Sequence, residues 1–197
     1  MEKYILIGLP GCGKSALGEK AAKSLKLPFY DTNEMTIESL NLDHPIELLR
    51  YKRSQRFYHR QHDVIRQLKY HVGPAIVATG SEVMLMPQCT PLLKELGTLI
   101  YIERSVKDIV KEVKEKERDR AHIVIHIISD DGLSEKSASV EAIKLHAKKS
   151  SQYTSVADVI LNNDASENEG VNRLARVIER LIRVQEEQKK KEGVSAL

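Results

Sequence analysis

An apolar run, Tyr4-Ile5-Leu6-Ile7, feeds directly into Gly8-Leu9-Pro10-Gly11-Cys12-Gly13-Lys14-Ser15. The spacing G-x-x-x-x-G-K-S is that of a phosphate-cradling loop set between a strand and a helix. Glycines let the backbone turn sharply and aim successive N–H groups into one concavity. A lysine at the end of the loop reaches the β- and γ-phosphates, and the hydroxyl beside it ligates Mg²⁺. The positive end of the following helix adds to the attraction for anions. With glycine near ~7% of average usage, four fixed positions match by chance in fewer than about one chain in a hundred. The flank after the loop agrees: Ser15 to Leu25 is rich in helix formers, with apolar residues at Leu17, Ala21, Ala22 and Leu25. The loop therefore predicts that Gly8, Gly11, Cys12, Gly13, Lys14, Ser15 and Ala16 hold ATP, with Mg²⁺ as its companion ion.

The remaining composition narrows the class. The chain has 197 residues, 41% hydrophobic and 30% charged, which suits one domain with a sizeable core. Residues 1–185 are read as that single domain and 186–197, which lacks apolar periodicity, as a flexible tail. No apolar stretch is long enough to span a membrane, and the first residues lack the basic start of a secretory leader. Cys12 and Cys89 are too few for a disulfide framework and predict a reducing, cytoplasmic setting. The expected partner is a small-molecule acceptor bound to a monomer or homodimer, with no membrane association.

A net charge of +3 does not argue for nucleic acid. Its distribution is uneven, however: from Arg50 to His71 there are seven Lys/Arg against one acid, Asp63. On a helix Arg53, Arg56 and Arg60 fall within about 60° of one another. That face predicts either a solvated surface or a site for an anionic substrate.

Along the chain, β-branched apolar runs alternate with helical patterns. Strands are predicted at Lys3–Gly8, Pro28–Asp31, Ala75–Thr79, Thr98–Glu103 and Asp158–Asn162. Helices are predicted at Lys14–Leu25, Ile46–Tyr70, Pro91–Leu96, Val106–Glu117, Val140–Ser150 and Glu169–Gln188. Such a rhythm reads as an α/β fold, a parallel sheet of five strands with helices on both faces. Its ligand site then lies at the carboxyl ends of the strands, where Gly8, Asp31, Thr79 and Glu103 meet on one rim. The charged, turn-rich segment at about 118–139 interrupts the rhythm and is the lid candidate. His122 and His126 within it lack a third ligand and read as packing or lid surface.

With the loop placed, the ordered motifs from about Lys3 to Leu181 resemble the shikimate kinase family of P-loop small-molecule kinases. "PFYDTNEMTIE" is similar to the family's second strand and Asp-x-Asp-x-x-Ile-Glu signature. "FYHRQHDVIRQL" stands where the family has a substrate-binding helix, "IVATGSE" where it has a triple-glycine loop, and "YTSVADVIL" where it has a closing Tyr-Ala-Asp segment. The resemblance implies a P-loop NTPase fold of the nucleoside-monophosphate-kinase type. It also implies transfer of the γ-phosphoryl group of ATP to a small-molecule hydroxyl. The alternatives from the residues alone are a kinase of another anionic acceptor, such as a nucleotide or sugar acid, and a nucleotide-binding regulatory protein with little turnover.

Carried over residue by residue, Asp31 matches the aspartate that holds Mg²⁺ through water; its other reading is a helix N-cap, which Thr32 or Asn33 could equally supply. The family's second aspartate, which contacts the substrate hydroxyls and is the proposed base, falls on Asn33 in a gapless match and on Glu34 if one residue is inserted. The lid arginine is Arg118 or Arg120, either of which could stabilise transferring phosphate charge. Four acceptor positions depart from the family pattern. Tyr58 and Lys149 stand where it has arginines, and Gly80-Ser81-Glu82 where it has three glycines. These departures predict weaker contacts to shikimate than the family pattern provides.

Overall fold

The computed structural model describes residues 2–40, 55–81, 83, 86–111, 147 and 150–195. Among them, strands β1 (Lys3–Ile7), β2 (Phe29–Asp31), β3 (Ala75–Ala78), β4 (Gly97–Glu103) and β5 (Val159–Asn162) form one sheet of order β2-β3-β1-β4-β5. All four pairings are parallel, with Lys3 in register with Ala75 on one side and Gly97 on the other. Every side chain of β1 and β3 is buried. Successive side chains of a strand point to opposite faces, so both faces of the central strands are covered. The five strands lie where the apolar runs predict them, each within a residue of the expected bounds.

Helices α1 (Lys14–Leu25), α2 (Thr32–Glu38), α3 (Gln55–Gln67), α4 (Cys89–Leu96), α5 (Ser150–Val156) and α6 (Glu167–Ser195) connect or flank the strands, and residues 106–111 are also helical. A 3₁₀ turn, Leu68–Tyr70, continues α3. The core is continuous across the sheet: Leu6, Ile76 and Leu99 from the strands, Leu17 and Ala21 from α1, Ile65 from α3, Leu93 from α4, and Leu174 and Ile178 from α6.

Four elements differ from the sequence expectation: α2, α4, α5 and α6. Helix α2 was not foreseen, because Thr32, Thr36 and Ile37 are β-branched and lower its propensity. Its start is nonetheless written in the sequence. Asp31 at the N-cap and Glu34 three residues later form the spacing of a capping box, and the Asp31 side chain accepts from both Asn33 and Glu34 N–H groups. Helix α4 begins at Cys89, two residues before Pro91, since the first turn has no intrahelical N–H bond for a proline to remove. Helix α6 runs on through Ser195, past the bound at Gln188 that the apolar pattern predicts and into the stretch from 186 read as a flexible tail. That stretch has no apolar stripe, but Glu, Gln and Lys are strong helix formers and here extend a helix already nucleated.

The described part of α3 starts at Gln55, and residues 46–54 of the longer helix predicted there lie outside the described residues. So does the lid candidate at 118–139. The helix predicted over Val140–Ser150 is described only at residues 147 and 150, and α5 continues past its expected end. No helix among the described residues is long and apolar enough to cross a membrane.

The contact between α1 and the sheet supplies a test of the packing. A Cβ added at Gly18 would lie 2.7 Å from Phe29 Cε2 and 2.9 Å from Leu6 Cδ1, both inside ordinary contact distance. Gly18→Ala gains up to about 1 kcal/mol of helix propensity. Overpacking a core costs about 1–3 kcal/mol, so the clash wins. Thermal unfolding should show a lower Tm for Gly18→Ala; an unchanged or higher Tm would mean that α1 can slide away from β1 and β2 without loss.

Candidate functional site

The phosphate loop leaves β1 at its carboxyl end and enters α1. Gly8, Gly11 and Gly13 all have positive φ, at 151°, 75° and 100°. At Gly13 a side chain would be strained by φ and obstructed by space, because a Cβ would lie 2.9 Å from Asn163 Nδ2. At Gly8 a Cβ would approach Ile102 O to 2.7 Å and Cys12 Sγ to 2.8 Å. The loop thus presses its backbone against the neighbouring strand, which only glycine allows. Gly13, the N-cap of α1, offers no side-chain cap, so the first N–H groups of the helix have no capping oxygen and are left for a ligand.

Lys14 is buried and folded over the loop. Its Nζ donates to Gly8 O at 3.0 Å and Leu9 O at 2.9 Å, and contacts Cys12 Sγ at 3.8 Å. Ser15 Oγ donates to Asp31 Oδ2 at 2.5 Å. The second carboxylate oxygen, Oδ1, accepts from Asn33 N at 2.8 Å and from Glu34 N at 3.4 Å. The two readings of Asp31 are therefore compatible in one side chain: one oxygen caps α2 while the other faces Ser15. A hydroxyl beside a carboxylate is a set of hard oxygens, and it fits Mg²⁺ next to phosphate.

Asn33 and Glu34 follow in the first turn of α2, and they face different neighbours. Asn33 is half-buried, and its Oδ1 accepts from Gln61 Nε2 of α3 at 2.5 Å. Gln61 is fully buried, and its Oε1 has no hydrogen-bond partner. Glu34 is exposed and lies on the Asp31 side. Desolvation, with smaller contributions from Asp31, Glu19 and Glu38, raises its pKa above the ordinary glutamate value.

The segment after β3 closes the opposite wall. Thr79 donates to Leu6 O through both N, at 3.1 Å, and Oγ1, at 2.9 Å. Gly80 N donates to Thr32 Oγ1 at 3.1 Å, tying this segment to α2. Ser81 O accepts from the buried Tyr153 hydroxyl of α5 at 3.1 Å. Tyr153 stacks on Tyr101 of β4 with centroids 5.4 Å apart, and burial pushes the Tyr101 hydroxyl up to about 12. The tyrosine of "YTSVADVIL" thus reaches the carbonyl side of the glycine segment, and its Asp158 Oδ2 accepts from Leu99 N at 2.8 Å.

The basic face of α3 divides among different partners. Arg60 donates through Nε to Ser39 Oγ at 2.9 Å and through Nη2 to Ser39 O at 3.4 Å. It binds the carboxyl end of α2, where a cation also complements the helix dipole. Arg56 is exposed. Arg53, the Tyr58 side chain, Glu82, Arg118, Arg120 and Lys149 lie outside the described residues.

The structure thus gathers Gly8, Gly11, Cys12, Gly13, Lys14, Ser15, Ala16, Asp31, Asn33, Glu34, Gly80 and Ser81 around one rim of the sheet. Sequence reasoning missed Gln61, which reads as one more polar residue on a basic helix, and Asn163, which follows β5 with no motif to mark it.

Three comparisons bear on what this rim belongs to. The family model described as shikimate kinase matches residues 10–182. A shikimate kinase of Clostridium beijerinckii is 28% identical over 176 residues, covering 89% of this chain and 94% of that protein. One from Francisella tularensis subsp. novicida is 26% identical over 175 residues, covering 88% and 93%. Among solved structures, the shikimate kinase from Acinetobacter baumannii in complex with shikimate superposes with a TM-score of 0.69 at 18% identity, covering 94% of each chain. A gluconokinase from Sinorhizobium meliloti superposes at 0.60 and 13% identity, covering 95% of this chain and 97% of that one, so the fold is shared more widely than one acceptor. With the family model spanning most of its length, and a phosphate loop at the rim of an all-parallel sheet, the chain belongs to the shikimate kinase family of ATP-dependent small-molecule kinases.

Proposed function

We propose that this chain transfers the γ-phosphoryl group of Mg·ATP to a hydroxyl of shikimate. The observation that carries the reading is the contact of Ser15 with Asp31 at the mouth of the glycine loop, with Lys14 one residue away. In this reading Gly11, Gly13, Ser15 and Ala16 present backbone N–H groups to the phosphates, and Lys14 leaves the loop carbonyls for the β- and γ-oxygens. Cys12, whose own N–H donates to Leu9 O at 3.2 Å, shapes the loop between Gly11 and Gly13. Ser15, and Asp31 through water, would hold Mg²⁺, and the ion would supply positive charge beside the transferring phosphate. The acceptor oxygen forms a bond to the γ-phosphorus as the bond to the ADP oxygen breaks, and the hydroxyl proton leaves to a carboxylate. Glu34 is that carboxylate: its raised pKa makes it a better proton acceptor than an ordinary glutamate. Asn33, braced by Gln61, binds the acceptor without taking its proton. Gly80 and Ser81 line the acceptor side, and Tyr58 and Lys149 complete it. Arg118 and Arg120 come from a lid over the phosphates.

The nucleotide half is tested by two substitutions. Lys14→Ala should sharply weaken Mg·ATP binding and turnover; unchanged affinity and activity would sink the assignment of the loop. Asp31→Asn keeps a side-chain oxygen for the cap but loses the charge. It should raise the Mg²⁺ requirement with little change in Tm, whereas Asp31→Ala should also cost about 1 kcal/mol of stability. If Asp31→Asn moves only the Tm, the aspartate serves α2 alone.

The base is tested by pH. A raised carboxyl pKa moves the acid limb of kcat above the ordinary glutamate value of about 4.3. Glu34→Gln should remove that limb and lower kcat by on the order of 10²-fold, while Asn33→Ala chiefly raises the KM for the acceptor. The reverse ranking would assign the acceptor position to Asn33 alone.

The acceptor side carries its own expectation. One lost charge-assisted bond is worth about 1.5–3 kcal/mol, or roughly ten-fold to over a hundred-fold in affinity. With Tyr58 and Lys149 in place of arginines, shikimate should bind weakly in the unmodified protein. Tyr58→Arg combined with Glu82→Gly should raise kcat/KM for shikimate by about ten-fold or more. Tight binding and fast turnover without these changes would show that other cations hold the carboxylate.

A further inference from the structure

We infer that Asn163, at the end of β5, is a positioning residue that aims the backbone of the phosphate loop at the nucleotide. Its side chain is buried and donates through Nδ2 to Cys12 O at 2.9 Å, while its own N–H donates to Glu103 O at 2.8 Å at the end of β4. Cys12 O can only accept, so the amide must present its NH₂ group to the loop. The amide is also wedged. Gly13 has no room for a Cβ on its Nδ2 side, and Gly170 of α6 has none on its Oδ1 side. Oδ1 itself has no hydrogen-bond partner, so the residue tolerates an unsatisfied buried acceptor in order to serve the loop.

The consequence follows from peptide planarity. In a trans peptide the C=O of one residue and the N–H of the next point in opposite directions. Drawing Cys12 O toward Asn163 therefore turns the N–H of Gly13 the other way, toward the concavity ahead of α1. A second side chain acts on the neighbouring peptide, since Arg104 Nη1 donates to Gly11 O at 3.3 Å. The ends of β4 and β5 thus fix the direction of the loop from behind.

This inference rests on the loop holding ATP, and the experiment separates the two. Mg·ATP and adenosine affinities would be measured for the unmodified protein, Asn163→Asp, Asn163→Leu, Gly170→Ala and Lys14→Ala. Leu, and Asp as its carboxylate, keep the branched outline of the side chain but remove the donor, and the alanine at Gly170 displaces the amide without changing its chemistry. For the variants that circular dichroism shows to be folded, Mg·ATP affinity should fall by about ten-fold or more, the worth of one bond to a charged group. Adenosine affinity and the KM for the acceptor should stay near those of the unmodified protein, because the N–H in question faces phosphate. Mg·ATP affinity within about twofold of the unmodified protein, or an equal loss for ATP and adenosine, overturns the role of Asn163. If Lys14→Ala also binds Mg·ATP normally, the loop assignment itself fails.

Discussion

One carboxylate holds the two halves of this site together. Asp31 ends β2, takes a hydrogen bond from Ser15 at the start of α1 with one oxygen, and caps α2 with the other. Two orders of structure depend on it. The cap satisfies N–H groups of a short helix whose own propensity is poor, and it thereby sets where Asn33 and Glu34 stand. The bond to Ser15 sets that helix against the nucleotide loop. A carboxylate in water could cap or bind metal; here the parallel sheet delivers it to the rim where both tasks are within reach of its two oxygens.

The sheet explains why so much of this was legible in the residues. A strand buried on both faces must be nearly all apolar, as β3 is and as β1 is from Tyr4 onward, and the shorter apolar runs of the other strands fall into place beside them. A phosphate loop must be glycine-rich for backbone reasons, so its residues cannot be disguised by drift in side chains. Helix α1 was readable because Leu17, Ala21 and Ala22 face the core at helical spacing, although Lys26 closes its last turn in the left-handed conformation without the glycine that would mark the place. Where backbone geometry dictates the residue, the sequence carries the answer.

It fails where a side chain is chosen by a neighbour distant along the chain. Gln61 matters because it meets Asn33, 28 residues away, and Asn163 because it meets Cys12, 151 residues away. Neither has a spacing or a composition to announce it. Arg60 illustrates the converse. Its place in a basic cluster predicts either a solvated face or an anion site, and its guanidinium instead bonds Ser39 at the end of α2. Helix α2 was missed for a different reason: it exists because of its cap and its packing, and pattern reading weights periodicity over caps.

The two ends of the site are therefore built from different materials. The nucleotide end is made largely of backbone N–H groups, glycines and strand ends, all fixed by the same sheet that makes the core; altering it costs fold stability as well as function. The acceptor end, as proposed, is made of side chains on α2, α3 and the segment after β3, which can be exchanged without touching a strand. The amide pair of Asn33 and Gln61 is of this second kind. It is uncharged, it joins α2 to α3, and it leaves one buried oxygen unsatisfied. A carboxylate at position 33 could accept the same Gln61 N–H and would bring a negative charge that the present pair lacks. Charge at this wall can thus change through single side chains while the helices keep their places. That is the physical reason a kinase of this fold can retain its grip on nucleotide while its hold on the acceptor drifts.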